Sequence, residues 1–154
     1  NVITEFHSKQ NQVLSEKGYY KILSILLNVV DSGTGNRLRR APYNLTAQMG
    51  GKTGTTNSNS DGWFMSFTPD LVSGVWVGGD ERYIHFNSMA NGQGASMALP
   101  IYGKYIRKVY DDPELPYNQS SRFSFPDIDL CEREYYGEYD EEESVEESFE
   151  GVFD

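Results

Sequence analysis

The sequence predicts an α+β fold in which a small antiparallel sheet has one helix before it and one helix after it. Two stretches repeat apolar residues at spacings of three and four, which is typical of amphipathic helices. Between them lie three short runs rich in aromatic and β-branched residues, which favour strands. The connections between these runs are short, so we expect neighbouring strands to be antiparallel.

The first helix is predicted to begin after Ser15, whose hydroxyl can accept a hydrogen bond from an amide of the first turn. Glu16 follows, where the helix dipole favours an acid. The apolar positions of this helix are Tyr19, Ile22, Leu23, Leu26, Leu27 and Val30. The glycines at 33 and 35 end it. Upstream, the loose alternation from Asn1 to Phe6 suggests the end of a strand.

The three strands are predicted over Met49–Thr55, Trp63–Phe67 and Leu71–Gly78, with turn residues between them. The second helix is predicted from Ala95 to Tyr110. Its apolar positions are Met97, Ile101, Tyr102, Tyr105, Ile106 and Val109. Arg107 and Lys108 lie in its last turn, where the helix dipole favours cations.

Charge divides the chain into two parts. Residues 1–110 carry eleven basic and seven acidic side chains, whereas residues 111–154 carry two basic and sixteen acidic ones. We therefore expect a folded domain over 1–110 and an acidic, largely disordered tail over 111–154, because the tail buries too little apolar surface to offset its ordering entropy. The acidic balance argues against nucleic-acid binding.

A single cysteine, Cys131, excludes an internal disulfide but leaves the compartment open. No apolar run approaches the roughly 20 residues that cross a bilayer, so we expect no membrane contact from this segment. The sequence begins with Asn1 and lacks a signal-peptide pattern, from which we expect a piece of a longer protein.

The stretch M-G-G-K-T-G-T-T-N at 49–57 fits two kinds of site. A phosphate-binding P-loop requires glycine at position 46, which is Thr46, and a helix after the loop, where this sequence has a turn and a strand. An acyl-transfer site needs a strand that offers backbone N–H groups and small hydroxyls to the substrate beside a fixed cation. Strand alternation places Lys52 with Gly54 on one face and Thr53 with Thr55 on the other. The sequence therefore favours the acyl-transfer site over the P-loop.

Further motifs surround K-T-G, which is the third motif of penicillin-binding proteins and serine β-lactamases. They are V-L-S-E at 13–16, G-T-G at 33–35, D-G-W-F at 61–64, T-P-D-L at 68–71, G-V-W-V-G at 74–78 and A-L-P-I-Y at 98–102. In this order they resemble the C-terminal part of the transpeptidase domain of class A (bifunctional) penicillin-binding proteins, over residues 1–110. Gly62 departs from the alanine expected in that family.

The resemblance implies the fold and the site. The sheet would belong to the penicillin-binding transpeptidase and serine β-lactamase-like fold. Lys52 and Thr55 are the candidate catalytic residues, Lys52 through its charge and proton transfer and Thr55 through its backbone N–H in an oxyanion hole. The candidate substrate-binding residues are Thr53, Gly54, Thr55 and Thr56, with the hydroxyls of Thr53 and Thr55 holding the terminal carboxylate. The alternative is that both threonines are ordinary strand residues.

The resemblance also implies what the chain acts on. Class A proteins cross-link peptidoglycan stem peptides that end in D-Ala-D-Ala, and β-lactams mimic that dipeptide. No cofactor or metal is expected. The Ser-x-x-Lys and Ser-x-Asn motifs are absent from this sequence. We therefore expect the chain alone to be inactive and its parent to lie at the extracytoplasmic (periplasmic) face of the membrane, with an upstream anchor and glycosyltransferase domain.

Two other functions remain as alternatives. One is a non-catalytic, penicillin-binding-like interaction module in cell-wall assembly. The other is a β-lactamase-like hydrolase, which the strand context and the long tail disfavour. An exposed strand edge also makes a homo-oligomer plausible.

Several single residues have a structural and a functional interpretation. For Trp63 and Trp76 we expect core packing rather than ligand stacking. For Arg37, Arg39 and Arg40 we expect a solvated loop rather than steering of anionic precursors. His7, His85 and Cys131 are too far apart in sequence to indicate a metal site. We expect the acidic tail to be a spacer rather than a docking segment for a basic partner.

Overall fold

The structure, a computed structural model, describes residues 11–127. It contains a three-stranded antiparallel sheet that is preceded in the chain by one long helix and followed by another. The α-helices and strands in chain order are α1 (Glu16–Asp31), β1 (Gly50–Thr55), β2 (Asp61–Phe67), β3 (Val72–Gly78), α2 (Met89–Gly92) and α3 (Gly94–Asp111). Two short 3-10 helices cover Asn36–Arg39 and Asn57–Asn59. The predicted α+β class is confirmed. The strand end suggested at 1–6, the residues His7 and Cys131, and residues 128–154 of the predicted tail lie outside the described residues.

Helix α1 begins as the sequence predicts. The Ser15 hydroxyl accepts a hydrogen bond from the Gly18 N–H over 3.1 Å. At the other end the Gly35 N–H donates to the Val29 carbonyl over 2.8 Å. A Cβ at Gly33 would lie 2.9 Å from the same carbonyl oxygen, so a glycine is required where the chain turns back against the helix.

The sheet has the order β1-β2-β3, and its register fixes which residues share a face. Lys52 lies opposite Met65, Gly54 opposite Trp63, and Trp63 opposite Trp76. Thr53 and Thr55 lie opposite Phe64 and Gly62. Since side chains alternate along a strand, these two sets occupy opposite faces of the sheet.

The hydrophobic core lies between helix α3 and the face of the sheet that carries Phe64. The Phe64 ring meets the Tyr102 ring edge-on, with centroids 5.0 Å apart. Val30 of α1 and Leu38 complete the core from the side, and both are fully buried. Burial raises the pKa of Tyr102 to about 12, as expected for a phenol removed from water.

The opposite face of the sheet is open among the described residues, and it carries both tryptophans. Trp63 and Trp76 are 44% and 47% exposed, and Met65 beside them is 44% exposed. The core packing predicted for the tryptophans is wrong. The inward positions of β2 belong to Gly62, Phe64 and Ser66, so the alternation places Trp63 and its neighbour Trp76 outside.

Arg39 does not lie in a solvated loop, contrary to the sequence-based expectation. Its guanidinium pairs with the Asp31 carboxylate at 2.6 Å and donates to the Leu45 and Ala47 carbonyls at 3.1 and 2.6 Å. It thereby ties the end of α1 to the segment that leads into β1. Arg37 and Arg40 are exposed, as predicted.

Residues 112–127 lack regular secondary structure but contact the domain. The Gln119 side chain accepts hydrogen bonds from the N–H groups of Thr46 and Ala47, at 2.7 and 3.3 Å. The Phe123 N–H donates to the Gln48 side chain over 2.7 Å. The first part of the predicted tail therefore lies along the segment that enters β1, and the division of the chain at residue 110 stays a prediction.

Candidate active site

Strand β1 lies at an edge of the sheet, and its outer side carries no paired strand within residues 11–127. Just beyond the ladder the Thr56 N–H donates to the Asp61 carbonyl over 3.1 Å. Opposite residues in an antiparallel ladder alternate between hydrogen-bonded and non-hydrogen-bonded pairs. Thr56–Asp61 is a hydrogen-bonded pair, so the alternation makes Thr55–Gly62 and Thr53–Phe64 non-hydrogen-bonded pairs. The backbone N–H groups of Thr53 and Thr55 therefore point away from β2, toward the open edge.

Lys52 brings a cation to the same edge. Its side chain is exposed, and its ammonium group donates to the Thr53 carbonyl over 2.7 Å. That carbonyl points to the open side of β1, so the lysine side chain bends over the edge rather than standing on the tryptophan face.

Thr53 is held from outside the sheet. Its hydroxyl lies 3.3 Å from the hydroxyl of Thr34, which belongs to the turn after α1. Either hydroxyl can be the donor. The G-T-G motif at 33–35 does not by itself mark Thr34 as a site residue, because the contact spans 19 positions and depends on the packing of α1 beside β1.

Thr55 has a partner at the start of helix α3. Its hydroxyl oxygen accepts a hydrogen bond from the Gly94 N–H over 3.0 Å. A hydroxyl can accept twice and donate once. The Thr55 proton therefore remains available for an acceptor such as a carboxylate.

Gly94 allows the helix to approach the strands this closely. A Cβ at this position would come closer than 3.0 Å to the carbonyl oxygens of both Gly54 and Trp63. Gly54 itself faces the other way, where an added Cβ would lie 3.2 Å from the Trp63 Cβ. The start of α3 therefore lies directly against the backbone of β1 and β2 next to Thr55.

Thr56 belongs to a separate polar cluster at the end of the strand. Its hydroxyl lies 2.9 Å from the Ser60 hydroxyl and donates to the Asp61 carboxylate over 3.0 Å. The indole N–H of Trp76 donates to the same carboxylate over 3.0 Å. Hydrogen bonds from Trp76, Thr56 and Ser60, in that order, hold the pKa of Asp61 below its usual value. The Thr56 hydroxyl is thus engaged in closing the turn between β1 and β2.

The structure brings together four of the five selected residues at one edge: Lys52, Thr53, Gly54 and Thr55. Thr56 follows directly but its hydroxyl is turned into the cluster with Asp61. His85 lies on another side of the domain, at an apolar cavity of about 390 Å³ formed with Val77, Ile84 and Phe86. No group of three or more metal-ligating side chains occurs within the described range 11–127.

Comparison with known proteins gives a consistent family. Over 107 residues the chain is 37% identical to penicillin-binding protein 1A of Rickettsia prowazekii. The matched stretch covers 69% of this chain and 13% of that protein. Over 96 residues it is 35% identical to penicillin-binding protein 1A of Pseudomonas aeruginosa, and this stretch covers 62% of this chain and 11% of that protein. The chain is of the penicillin-binding protein 1A type. It spans about an eighth of the length of these curated relatives.

The solved structures support the same fold. The crystal structure of penicillin-binding protein 1A from Haemophilus influenzae matches with a TM-score of 0.58 and 24% identity, covering 75% of this chain and 17% of that one. The sheet and helices of this penicillin-binding-protein-type chain therefore have the penicillin-binding transpeptidase fold. A scan against protein-family models gave no match. In the described region no helix has the length and apolar character needed to cross a bilayer.

Proposed function

We propose that this chain forms the oxyanion-binding and carboxylate-binding side of a D-Ala-D-Ala transpeptidase site in peptidoglycan cross-linking. The observation that carries the proposal is the open edge of β1. Along four consecutive residues it presents outward N–H groups, two threonine hydroxyls and one lysine. Preorganised donors and a cation at a developing negative charge are the main requirement of acyl-transfer catalysis.

Each group has a defined task in this proposal. The Thr55 N–H donates to the oxyanion that forms on the scissile carbonyl. The Thr55 hydroxyl, whose oxygen already accepts from Gly94, donates its proton to the terminal carboxylate of the stem peptide. The Thr53 hydroxyl binds the same carboxylate. Lys52 supplies positive potential and assists proton transfer, and Gly54 leaves room for the substrate backbone to lie along the strand.

The serine nucleophile and its base belong to Ser-x-x-Lys and Ser-x-Asn motifs that this sequence lacks. Acyl transfer therefore requires a polypeptide that supplies them, at the extracytoplasmic face of the membrane. Stem peptides and β-lactams would bind between the two parts. The chain alone would form no covalent adduct with a penicillin.

A hybrid protein tests this function. Residues 11–127 replace the matching segment of the Pseudomonas aeruginosa protein, and a fluorescent penicillin reports formation of the acyl-enzyme. We expect the hybrid to be labelled and the chain alone to remain unlabelled by mass spectrometry. Thr55→Val in the hybrid should lower the acylation rate by about 10²-fold or more, as loss of one site donor does elsewhere.

Controls separate the site from folding. Thr55→Ser retains the hydroxyl and should keep most of the rate, and Lys104→Ala on the exposed side of α3 should keep all of it. A folded hybrid that penicillin does not label would reject the transpeptidase function and favour the non-catalytic module. Labelling of the chain alone would show that a nucleophile lies within it.

A further inference from the structure

Two threonine hydroxyls on β1 each have a partner from another part of the fold. Thr53 and Thr55 lie on the same face of the sheet, and the Thr55 oxygen accepts from the Gly94 N–H over 3.0 Å. The Thr53 oxygen lies 3.3 Å from the hydroxyl oxygen of Thr34. Residues two positions apart on a strand are about 6.6 Å apart. One carboxylate between the two hydroxyls can therefore accept a hydrogen bond of about 2.6 Å from each.

The position of Thr34 is set by the glycines on either side of it. A Cβ at Gly33 would lie 2.9 Å from the Val29 carbonyl oxygen, and a Cβ at Gly35 would lie 3.1 Å from the same atom. The Gly35 N–H donates to that carbonyl over 2.8 Å. The backbone before and after Thr34 is thus packed against the last turn of α1, and this packing leaves the Thr34 hydroxyl beside β1.

Arg39 holds the end of α1 beside the strand that carries Thr53. Its guanidinium pairs with Asp31, which comes shortly before Thr34 in the chain, and donates to the Ala47 carbonyl, which comes shortly before β1. This bridge limits how far the two hydroxyls can separate. Thr34 and Thr53 are therefore held within hydrogen-bond distance before a substrate binds, as a preorganised site requires.

A bound carboxylate decides which of the two hydroxyls donates. An ionised carboxylate only accepts hydrogen bonds, and a hydroxyl has a single proton. When Thr53 donates its proton to a carboxylate, it can contact Thr34 only as an acceptor, so Thr34 must be the donor. The Thr53 oxygen then has the same role as the Thr55 oxygen, whose donor is the Gly94 N–H. A hydroxyl that accepts a hydrogen bond is polarised and donates more strongly.

We propose that Thr34 is a positioning residue for the substrate carboxylate. Its hydroxyl donates to the Thr53 oxygen, directs the Thr53 proton toward the carboxylate and completes a hydrogen-bonded chain of Thr34, Thr53 and carboxylate. This inference rests on the proposed transpeptidase function, and it adds a residue from outside the sheet to that site. Thr34 is exposed, so water replaces part of its hydrogen bond and the expected effect is modest.

Acylation of the hybrid protein by a fluorescent penicillin tests the role of Thr34. Thr34→Val keeps the shape of the side chain and removes its hydroxyl. We expect the second-order rate constant of acylation to fall about 3- to 10-fold, the range for one neutral hydrogen bond. Thr34→Ser keeps the hydroxyl and should restore most of the rate. The methyl ester of the same penicillin has no carboxylate, so its slower acylation should be the same with Thr34→Val as without it.

A double-mutant cycle separates this role from general damage to the fold. Thr34 acts through the Thr53 hydroxyl, so Thr34→Val should leave the acylation rate unchanged once Thr53→Val is present. Thr46→Val is the matched control, because it makes the same change at an exposed threonine whose hydroxyl contacts Gln119, and it should leave the rate unchanged. Circular dichroism and thermal unfolding of the full chain with each substitution verify that every variant folds.

Three outcomes would overturn the proposal. If Thr34→Val leaves acylation by the penicillin unchanged or makes it faster, Thr34 does not direct the Thr53 proton, while the labelled hybrid still supports the transpeptidase function. If Thr34→Val lowers the rate equally with and without the Thr53 hydroxyl, the turn acts on the fold and not through Thr53. A folded hybrid with the unaltered segment that penicillin does not label rejects the transpeptidase function, and the role of Thr34 with it.

Discussion

The hydroxyl oxygen of Thr55 accepts a hydrogen bond from the Gly94 N–H, 3.0 Å away and 39 positions later in the chain. The N-cap residue of α3, Gln93, makes no side-chain capping hydrogen bond to a backbone N–H of the helix. The first N–H groups of a helix lack intrahelical partners. Thr55 supplies one such partner from the sheet, so a residue of the candidate site also fixes the start of the closing helix.

This double role predicts how substitutions at Thr55 affect stability. Thr55→Val keeps the shape but removes the acceptor of the Gly94 N–H, and we expect a loss of about 1 kcal/mol in the free energy of unfolding. Thr55→Ser keeps the acceptor and should lie within a few tenths of a kcal/mol of the original chain. Urea unfolding measures both, and equal stability of the valine and serine variants would contradict the role.

Two glycines that face the same interface should respond differently to alanine. A Cβ at Gly94 would clash with two backbone carbonyls, which cannot move without breaking the sheet. A Cβ at Gly62 would lie 2.5 Å from Cε of Met97, the flexible end of a side chain, and 3.2 Å from Gly94 Cα. We expect Gly94→Ala to cost about 3 kcal/mol or more and Gly62→Ala about 1 kcal/mol or less. Thermal unfolding would refute this if the two variants melted together.

Of the arginines at positions 37, 39 and 40, Arg39 is predicted to contribute most to the free energy of unfolding. Arg39→Ala leaves the Leu45 and Ala47 carbonyls without their donor and the Asp31 carboxylate without its pair. We expect a loss of about 2–3 kcal/mol, as for hydrogen bonds to a charged group. Arg40→Ala, at an exposed position, is the matched control and should change the stability by less than about 0.5 kcal/mol. Denaturant titration of both variants tests the difference.

Asp61 makes stability depend on pH in a defined direction. Its pKa is lowered from 3.8 in the folded chain. The stability that it contributes is therefore complete above the unfolded value and is lost as the pH falls through the lower folded value. Asp61→Asn preserves the shape and removes the titration, so the variant should lose less stability than the original chain on acidification below pH 3.8. If the free energies of unfolding of the two proteins fell in parallel over that pH range, Asp61 would not contribute to the pH dependence of stability.

Gln119 is predicted to hold the segment after α3 in place. Gln119→Ala removes the acceptor shared by the Thr46 and Ala47 amides. Both amides should then exchange with deuterium faster, with a loss of about 1–2 kcal/mol in stability. Ser120→Ala, at an exposed neighbouring position, should leave their exchange unchanged. Unaltered exchange in the Gln119 variant would mean that this segment contributes no stability to the entrance of β1.

The elements could be predicted from local patterns, because capping and alternation act over few residues. Ser15 and the three strands are examples, each within two residues of its observed limits. The assignment of Lys52 and Thr53 to opposite faces followed from the strand period alone, and the register confirms it.

The tertiary partners could not be predicted in this way. Which face of β2 meets the core depends on where α3 packs, so alternation alone could not decide between Phe64 and Trp63. The bonds of Thr53 to Thr34 and of Thr55 to Gly94 join distant parts of the chain, and no local signal marks either partner. The sequence does not distinguish Arg39 from Arg40. Only the fold brings the Asp31 carboxylate and the Leu45 and Ala47 carbonyls to Arg39.

The packing of Phe125 on Tyr20 brings the last described residues beside the N-terminal half of α1. A longer polypeptide that contained this unit would enter it and leave it at neighbouring points, so the unit could be inserted into a loop of another domain with little strain on either junction. The same proximity makes circular permutation feasible: a short linker could join residue 127 to residue 11, with new ends placed in the turn between β2 and β3.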